Sequence, residues 1–414
     1  MTLSFTNKWI ITSGVVLILL AASAWFFFSR FSTPSTQPGT QTDPFGVPVD
    51  DSTVTPTDTS PDGTQTIDTP GQTSQTKIFQ ITPGPVVGAT LIQILHPTTT
   101  LVRYIKQEDG HVFDLPLDVS GALPRVVSNV TIPGGKRAIW VEGGSAAVMQ
   151  YLDGDTVKSV YLGFPAVATS SATRPTRIVF LPDSIVDIAA SPDGKSIVYM
   201  LKTAKGVDGY ITKPDGTNNR KVFSLPLSQV LISWPSTGTL LAQTKSTAGL
   251  PGIAFSVDVK TGAATALVYA PGLTATADST FSKIIYQTTQ PASTVRSTYV
   301  HDIKKGIDRA LSLDPYPEKC IWPSSATSTM YCAVPLTFVP VNYLDLWHLG
   351  AAGVADTLMV FDVTTAKSTI LTTPGSSEGG VASDIFEIAA SPNEKYISFT
   401  NKGSRSLWGV RLSQ

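Results

Sequence analysis

Charge is scarce in this 414-residue chain: Asp, Glu, Lys and Arg make up 15% of it, against about 25% in an ordinary soluble domain. The formal net charge is −1, which leaves no basic face for nucleic acid and no strongly acidic surface. Nucleic-acid binding is therefore disfavoured. Histidine occurs four times and cysteine twice. His96, His111, His301 and His348 are scattered, without H-x-H or H-E-x-x-H spacing, so no metal site is expected. No catalytic set and no cofactor-binding motif stand out. Gly375-Ser376-Ser377-Glu378-Gly379 matches G-x-S-x-G, but that elbow needs a strand before it and a helix after it, and residues 385–390 read as a strand. Asp153-Gly154-Asp155 lacks the other ligands of a calcium loop and reads as a polar hairpin turn.

The amino-terminal segment carries the strongest local signal. Residues 10–28 (IITSGVVLILLAASAWFFF) hold no charge and come close to the roughly 20 residues a helix needs to cross a bilayer. Trp9 and the Trp25–Phe28 aromatics flank the run, with Lys8 and Arg30 just outside it. The alternative is a cleaved signal peptide, since Ala22-Ser23-Ala24 resembles a cleavage site. The expected division is a cytoplasmic tail (1–8), a transmembrane helix (9–28), a stalk (29–76) and a β-domain (77–414), with that domain outside the cell membrane. The stalk is rich in Thr, Ser and Pro, and residues 31–76 have six Asp and neither Lys nor Arg. So few large apolar residues cannot offset the entropy of ordering, so no packed fold is expected there. As a flexible coil it would span about 40 Å.

Internal repetition decides the fold of the remainder. Residues 187–199 (DIAASPDGKSIVY) align with residues 387–399 (EIAASPNEKYISF) at seven of thirteen positions. Each reads as strand, tight turn, strand: Pro presets the turn and Asp or Asn closes it with side-chain hydrogen bonds. Weaker copies stand at residues 131–140, where Pro133-Gly134 supplies the turn and the second strand follows, and at 232–241, 278–286 and 320–334. Pro192 to Pro235 is 43 residues and Pro235 to Pro323 is 88, matching a four-stranded propeller blade of about 40–45 residues. The longer intervals contain apparent insertions at 163–176 and 336–356. These six units, with one more at 86–117, make an all-β, seven-bladed propeller, with six or eight blades as the alternatives. The last unit is one strand short, and residues 78–81 could supply that strand and close the ring.

The Ser191-Pro192-Asp193-Gly194-Lys195 turn, its copy at Ser391, and Lys213-Pro214-Asp215-Gly216 resemble TolB-type, WD-repeat-like β-propeller repeats. The whole chain resembles membrane-anchored bacterial propellers. It departs from TolB itself, because a helix and stalk replace the cleaved signal and N-terminal α/β domain, so TolB's partners are not carried over.

Cys320 and Cys332 flank the predicted turn of one hairpin, where an antiparallel pair would place them opposite each other. A disulfide is expected, and it favours an extracytoplasmic domain; two free buried thiols are the alternative. The insertion at 336–356 is more apolar than a solvent loop should be. Tyr343, Trp347 and His348 are candidates for a partner-binding loop, against a short helix packed over its own blade. The leading functional expectation is a non-enzymatic, surface-tethered binding or scaffold module for an envelope protein or glycan. The alternative is a propeller-type lyase or hydrolase of glycans with its site in the central channel. The discriminating feature is whether carboxylates and a histidine converge at one end of that channel.

Overall fold

The computed structural model describes residues 76–95, 98–164, 176–290, 293–323, 328–412. The expected transmembrane helix, almost all of the stalk and most of the 163–176 insertion lie outside these residues. Among the described residues no helix is long and apolar enough to cross a membrane.

Seven four-stranded antiparallel sheets form the domain. Blades 1 to 6 each use four consecutive strands, within residues 86–128, 135–180, 185–225, 230–271, 274–310 and 320–372. Blade 7 takes three strands from residues 385–411 and its outer strand from Ile78–Thr82, which pairs antiparallel with Leu407–Arg411. The expected closure by the amino-terminal strand is therefore present.

The physical reason for a ring lies in the blade faces. A four-stranded sheet of this sequence has apolar side chains on both faces and can bury neither alone. Seven separate apolar cores result, one between each pair of neighbouring blades. The core between blades 7 and 1 gathers Phe79, Ile81, Val86, Tyr396 and Leu407, so the ring has no open seam. Tyr396 adds a hydroxyl bond to the Leu117 carbonyl (3.2 Å) across the same junction.

The sequence repeat is a structural repeat. Ser191 Oγ bonds Asp193 at 2.7 Å, and Ser391 Oγ bonds Asn393 at 2.7 Å in the same turn. The repeat also extends further than residues 187–199. Gly209 and Gly409 occupy matching third strands, and in each the ring of an outer-strand Phe, Phe223 or Phe79, fills the space a Cβ would take.

One expected hairpin is displaced. Residues 131–140 were expected to supply a turn and a second strand. Instead Gly135–Val141 is the first strand of blade 2, and the turn follows it at Glu142–Gly144. All three turn residues have positive φ, which two glycines permit without proline. An added Cβ at Gly144 would also strike Ile92 at 2.6 Å.

The first strands of neighbouring blades lie against one another and surround the central channel. Antiparallel order then places the blade-linking segments and every loop between second and third strands on one face of the ring. The 336–355 insertion belongs to that face, between Thr329–Pro335 and Asp356–Asp362 of blade 6.

Candidate functional site at the channel mouth

Tyr316-Pro317-Glu318-Lys319-Cys320 leads into blade 6. Proline starts a single 3₁₀ turn, Pro317–Lys319, that ends at the first strand and sends the Lys319 side chain inward. Lys319 is 1% exposed, and lysine is almost never fully buried unless paired. Its ammonium donates to Asp356 (2.7 Å), Asp384 (2.6 Å) and the Tyr343 hydroxyl (3.4 Å). Asp356 opens the third strand of blade 6 and also accepts from the Ile385 N–H (2.8 Å) of blade 7. Asp384, just before blade 7, accepts the Trp347 indole N–H at 3.0 Å. Burial pushes the Asp356 carboxyl up to about 6, against the downward pull of Lys319. Its second oxygen, Oδ1, is buried without a hydrogen-bond partner.

Beside this knot lies a cleft of about 460 Å³ between residues 350–355 and residues 401–403, with Asp384 and Lys402 on its wall. One side is Gly350-Ala351-Ala352-Gly353, so a ligand there would meet mostly backbone. The Lys402 amine stands 3.4 Å from the centre of the Trp347 ring and forms no ion pair among the described residues. Burial lowers its pKa, while the Asp384 charge pulls the other way. His348 meets Glu318 at 2.6 Å. A cleft of about 510 Å³ on the outer edge of blade 3 is larger, but its Asp208 and Lys221 satisfy each other at 2.8 Å and nothing else converges there.

The channel wall adds a second group of charges. Asp187, on the first strand of blade 3, accepts from Arg137 of blade 2 (2.7 Å), from its own neighbour Ile188 N–H (2.9 Å) and from Ile232 N–H of blade 4 (2.8 Å). It ties three blades together. Glu387 is its counterpart in blade 7 and is exposed. Protein around the channel still removes much of its water, and this raises its pKa against the opposing pull of Arg405, Arg137, Thr400 and Lys402.

The helix in the insertion is short, Tyr343–His348. Tyr343 and Trp347 are buried and His348 is partly exposed. Tyr343 packs with Tyr316 (ring centres 5.2 Å apart), while Asp345 accepts from the Ala248 N–H of blade 4 at 3.1 Å. The insertion thus reaches beyond its own blade. Cys320 and Cys332 are directly paired and disulfide-bonded, Cα atoms 4.1 Å apart. Ser376 of the G-x-S-x-G match sits in a turn whose Glu378 carbonyl accepts the Ile78 N–H. Asp153 lies at a hairpin turn and pairs with Lys158 (2.7 Å). His111 bonds to Asp109 and Thr131, and His301 to Asp308; neither approaches the cleft. Lys319, Asp356, Asp384, Lys402 and Glu387 carried no motif. The one available signal was Glu387 standing where the repeat has Asp187.

No protein-family model matches the chain, and no curated protein sequence matches it. Solved structures do. An oligogalacturonate lyase in complex with manganese is 11% identical, with a TM-score of 0.50, covering 83% of this chain and 95% of that one. The oligogalacturonate lyase of Vibrio parahaemolyticus is 10% identical, with a TM-score of 0.52, covering 82% and 95%. TolB from Acinetobacter baumannii is 10% identical, with a TM-score of 0.41, covering 79% and 63%. This chain is a seven-bladed β-propeller, its repeats consistent with the TolB type.

These likenesses show the fold, and that fold corrects the expectation of a non-enzymatic module. That expectation rested on the tether, the stalk and the missing catalytic set, yet this propeller architecture is shared with two lyases. The structure also brings Lys319 to Asp356 and Asp384, and His348 to Glu318, from segments that the sequence keeps apart. The residues present do not fit manganese: among the described residues no three His, Cys, Asp or Glu side chains converge to hold a metal ion.

Proposed function

We propose that this propeller is an enzyme acting on glycans, with its site at the channel mouth where blades 6 and 7 meet. The observation that carries the reading is the cleft walled by Asp384 and Lys402, beside the buried cluster of Lys319, Asp356 and Asp384. Perturbed titrating groups beside a concave site are the usual marks of acid–base chemistry. Lys402 suits a sugar that bears a carboxylate, and the glycine- and alanine-lined wall leaves room for a sugar ring. Cleavage by elimination needs a base for the proton beside that carboxylate and a cation to hold the developing charge. Cleavage by hydrolysis needs an acid for the leaving oxygen and a water.

The test offers the full chain a panel of oligogalacturonates and neutral oligosaccharides, with two simultaneous readouts. Elimination produces ultraviolet absorbance from an unsaturated uronate together with new reducing ends; hydrolysis produces reducing ends alone. No new ends from any substrate would refute the reading. The proposal includes the tether: residues 9–28 hold the chain in the cell membrane, and residues 29–76 carry the propeller away from its outer surface. The buried disulfide supports that side of the membrane, because such bonds persist in oxidising compartments.

A further inference from the structure

Two departures from the blade repeat meet on the face of the ring opposite the Lys402 cleft. The first strand of blade 1, Val86–Leu95, runs ten residues, whereas no other blade has a first strand longer than seven. In blade 2 the turn between first and second strands is Glu142–Gly144 rather than a Ser-Pro-Asp turn. Both neighbouring blades hold that turn. Arg103 of blade 1 donates to the Gly144 carbonyl (2.9 Å), and the Glu142 N–H donates to the Gly194 carbonyl of blade 3 (3.0 Å). Arg103 is itself fixed by Asp114, a buried pair with contacts of 2.6 and 2.7 Å. The wall these elements make is preformed, which spares a ligand the cost of ordering it.

Between these elements lies a cleft of about 420 Å³ that reaches Asp193 of blade 3 and Pro392 of blade 7. Ile92 and Trp140 line it and are partly exposed. Thr90 and Gln93 line it too, and neither side chain makes a hydrogen bond among the described residues. Asp193 uses one carboxylate oxygen for the Ser191 hydroxyl and the Lys195 N–H. Its other oxygen has only the Lys195 ammonium, 3.9 Å away. A hydroxyl, a carboxamide and an open carboxylate oxygen beside an aromatic ring match the two surfaces of a sugar. The hydroxyl rim needs donors and acceptors, and the C–H face needs an apolar platform. Asp193 is the one charged residue on this wall, and a carboxylate without a cation disfavours an acidic sugar. We propose that this cleft is a second carbohydrate site, which binds an uncharged sugar unit and does not cleave it. One carboxylate alone lacks the acid–base pair that glycoside hydrolysis uses, so the role here is to hold. The site stands apart from the glycan-cleaving reading: it lies on the other face of the ring and is measured by binding, not turnover.

The experiment titrates the full chain, in a sugar-free detergent, with disaccharides of glucose, galactose, mannose and N-acetylglucosamine by isothermal titration calorimetry. Digalacturonate and a proline-containing peptide are run beside them. At least one neutral disaccharide is expected to bind with Kd below about 1 mM, and digalacturonate should not displace it. Gln93→Ala and Trp140→Ala should each raise that Kd about tenfold or more. Gln93 is partly exposed and its substitution leaves the Arg103–Asp114 pair intact, so an unchanged melting temperature separates lost binding from lost folding. No neutral disaccharide bound at that level would overturn the proposal. Binding that Gln93→Ala retains within about threefold would place the sugar elsewhere and overturn it as well. Preferential binding of the peptide or of digalacturonate, weakened by Gln93→Ala, would give the cleft a different ligand and equally overturn it. Each of these results leaves the cleavage test standing, since that test reads new reducing ends.

Discussion

Replacing Lys319 by methionine should destabilise the domain in a pH-dependent way. The side chain keeps its length and loses the charge that holds Asp356 at 2.7 Å and Asp384 at 2.6 Å. Removing one partner of a buried ionic group typically costs about 3–5 kcal/mol, because the other charge is left uncompensated. Asp356 sets the pH dependence. Its carboxyl is raised from 3.8 to about 6 even with Lys319 present, so the native state binds more protons than the unfolded one across that window. Stability from this group is therefore fully present below about pH 3.8 and is lost as pH rises towards 6, by roughly 3 kcal/mol at 1.36 kcal/mol per unit. Without Lys319 the main downward pull is gone and the window extends upward. The deficit of Lys319→Met should thus be about 1 kcal/mol near pH 4.5 and about 3–5 kcal/mol near pH 8. Urea unfolding followed by tryptophan fluorescence suits the measurement, since the Trp347 indole is bonded to Asp384. The double variant Lys319→Met/Asp356→Asn should recover at least half the loss near pH 8. A deficit below about 1 kcal/mol near pH 8, or one equal at both pH values, would refute the reasoning.

Other consequences follow from the same geometry. Asp187→Ala strands the N–H groups of Ile188 and Ile232 and frees Arg137; a loss of about 2–4 kcal/mol is expected in chemical unfolding. Gly409→Ala places a methyl 2.4 Å from the Phe79 ring on the closing strand, and a lowered melting temperature, by the equivalent of about 1–3 kcal/mol, should report the overpacking. Cys320→Ser/Cys332→Ser opens a loop of twelve residues and should cost roughly 2–3 kcal/mol. In intact cells, a mass-tagged maleimide should label the two thiols only after reduction; ready labelling after permeabilisation without reductant would place the propeller in the reducing interior.

Much of the fold was legible because a propeller repeats itself. The Ser-Pro-Asp/Asn turns closed as read, the 78–81 strand completed blade 7, and Cys320 met Cys332, since each depends on contacts within one hairpin or one sheet. Blade 2 departs from the proline-marked pattern because its first hairpin turns without proline. Pro133 ends a linking segment there, and three residues with positive φ at Glu142, Gly143 and Gly144 make the turn.

The site was much less legible. Lys319 lies 37 residues from Asp356 and 65 from Asp384, and nothing in either spacing predicts a contact. They meet because blade-linking segments and second-to-third-strand loops return to one face of the ring. Glu387 stands opposite Asp187 in the alignment, but the one-residue difference in register that pairs Phe386, not Glu387, with Thr400 is set by backbone pairing. By itself the sequence determined the blades, their number and the disulfide, through local turn chemistry and a repeated apolar pattern. Only the tertiary structure decided which charges share a cleft, because ring closure brings blades 2, 6 and 7 to a common channel.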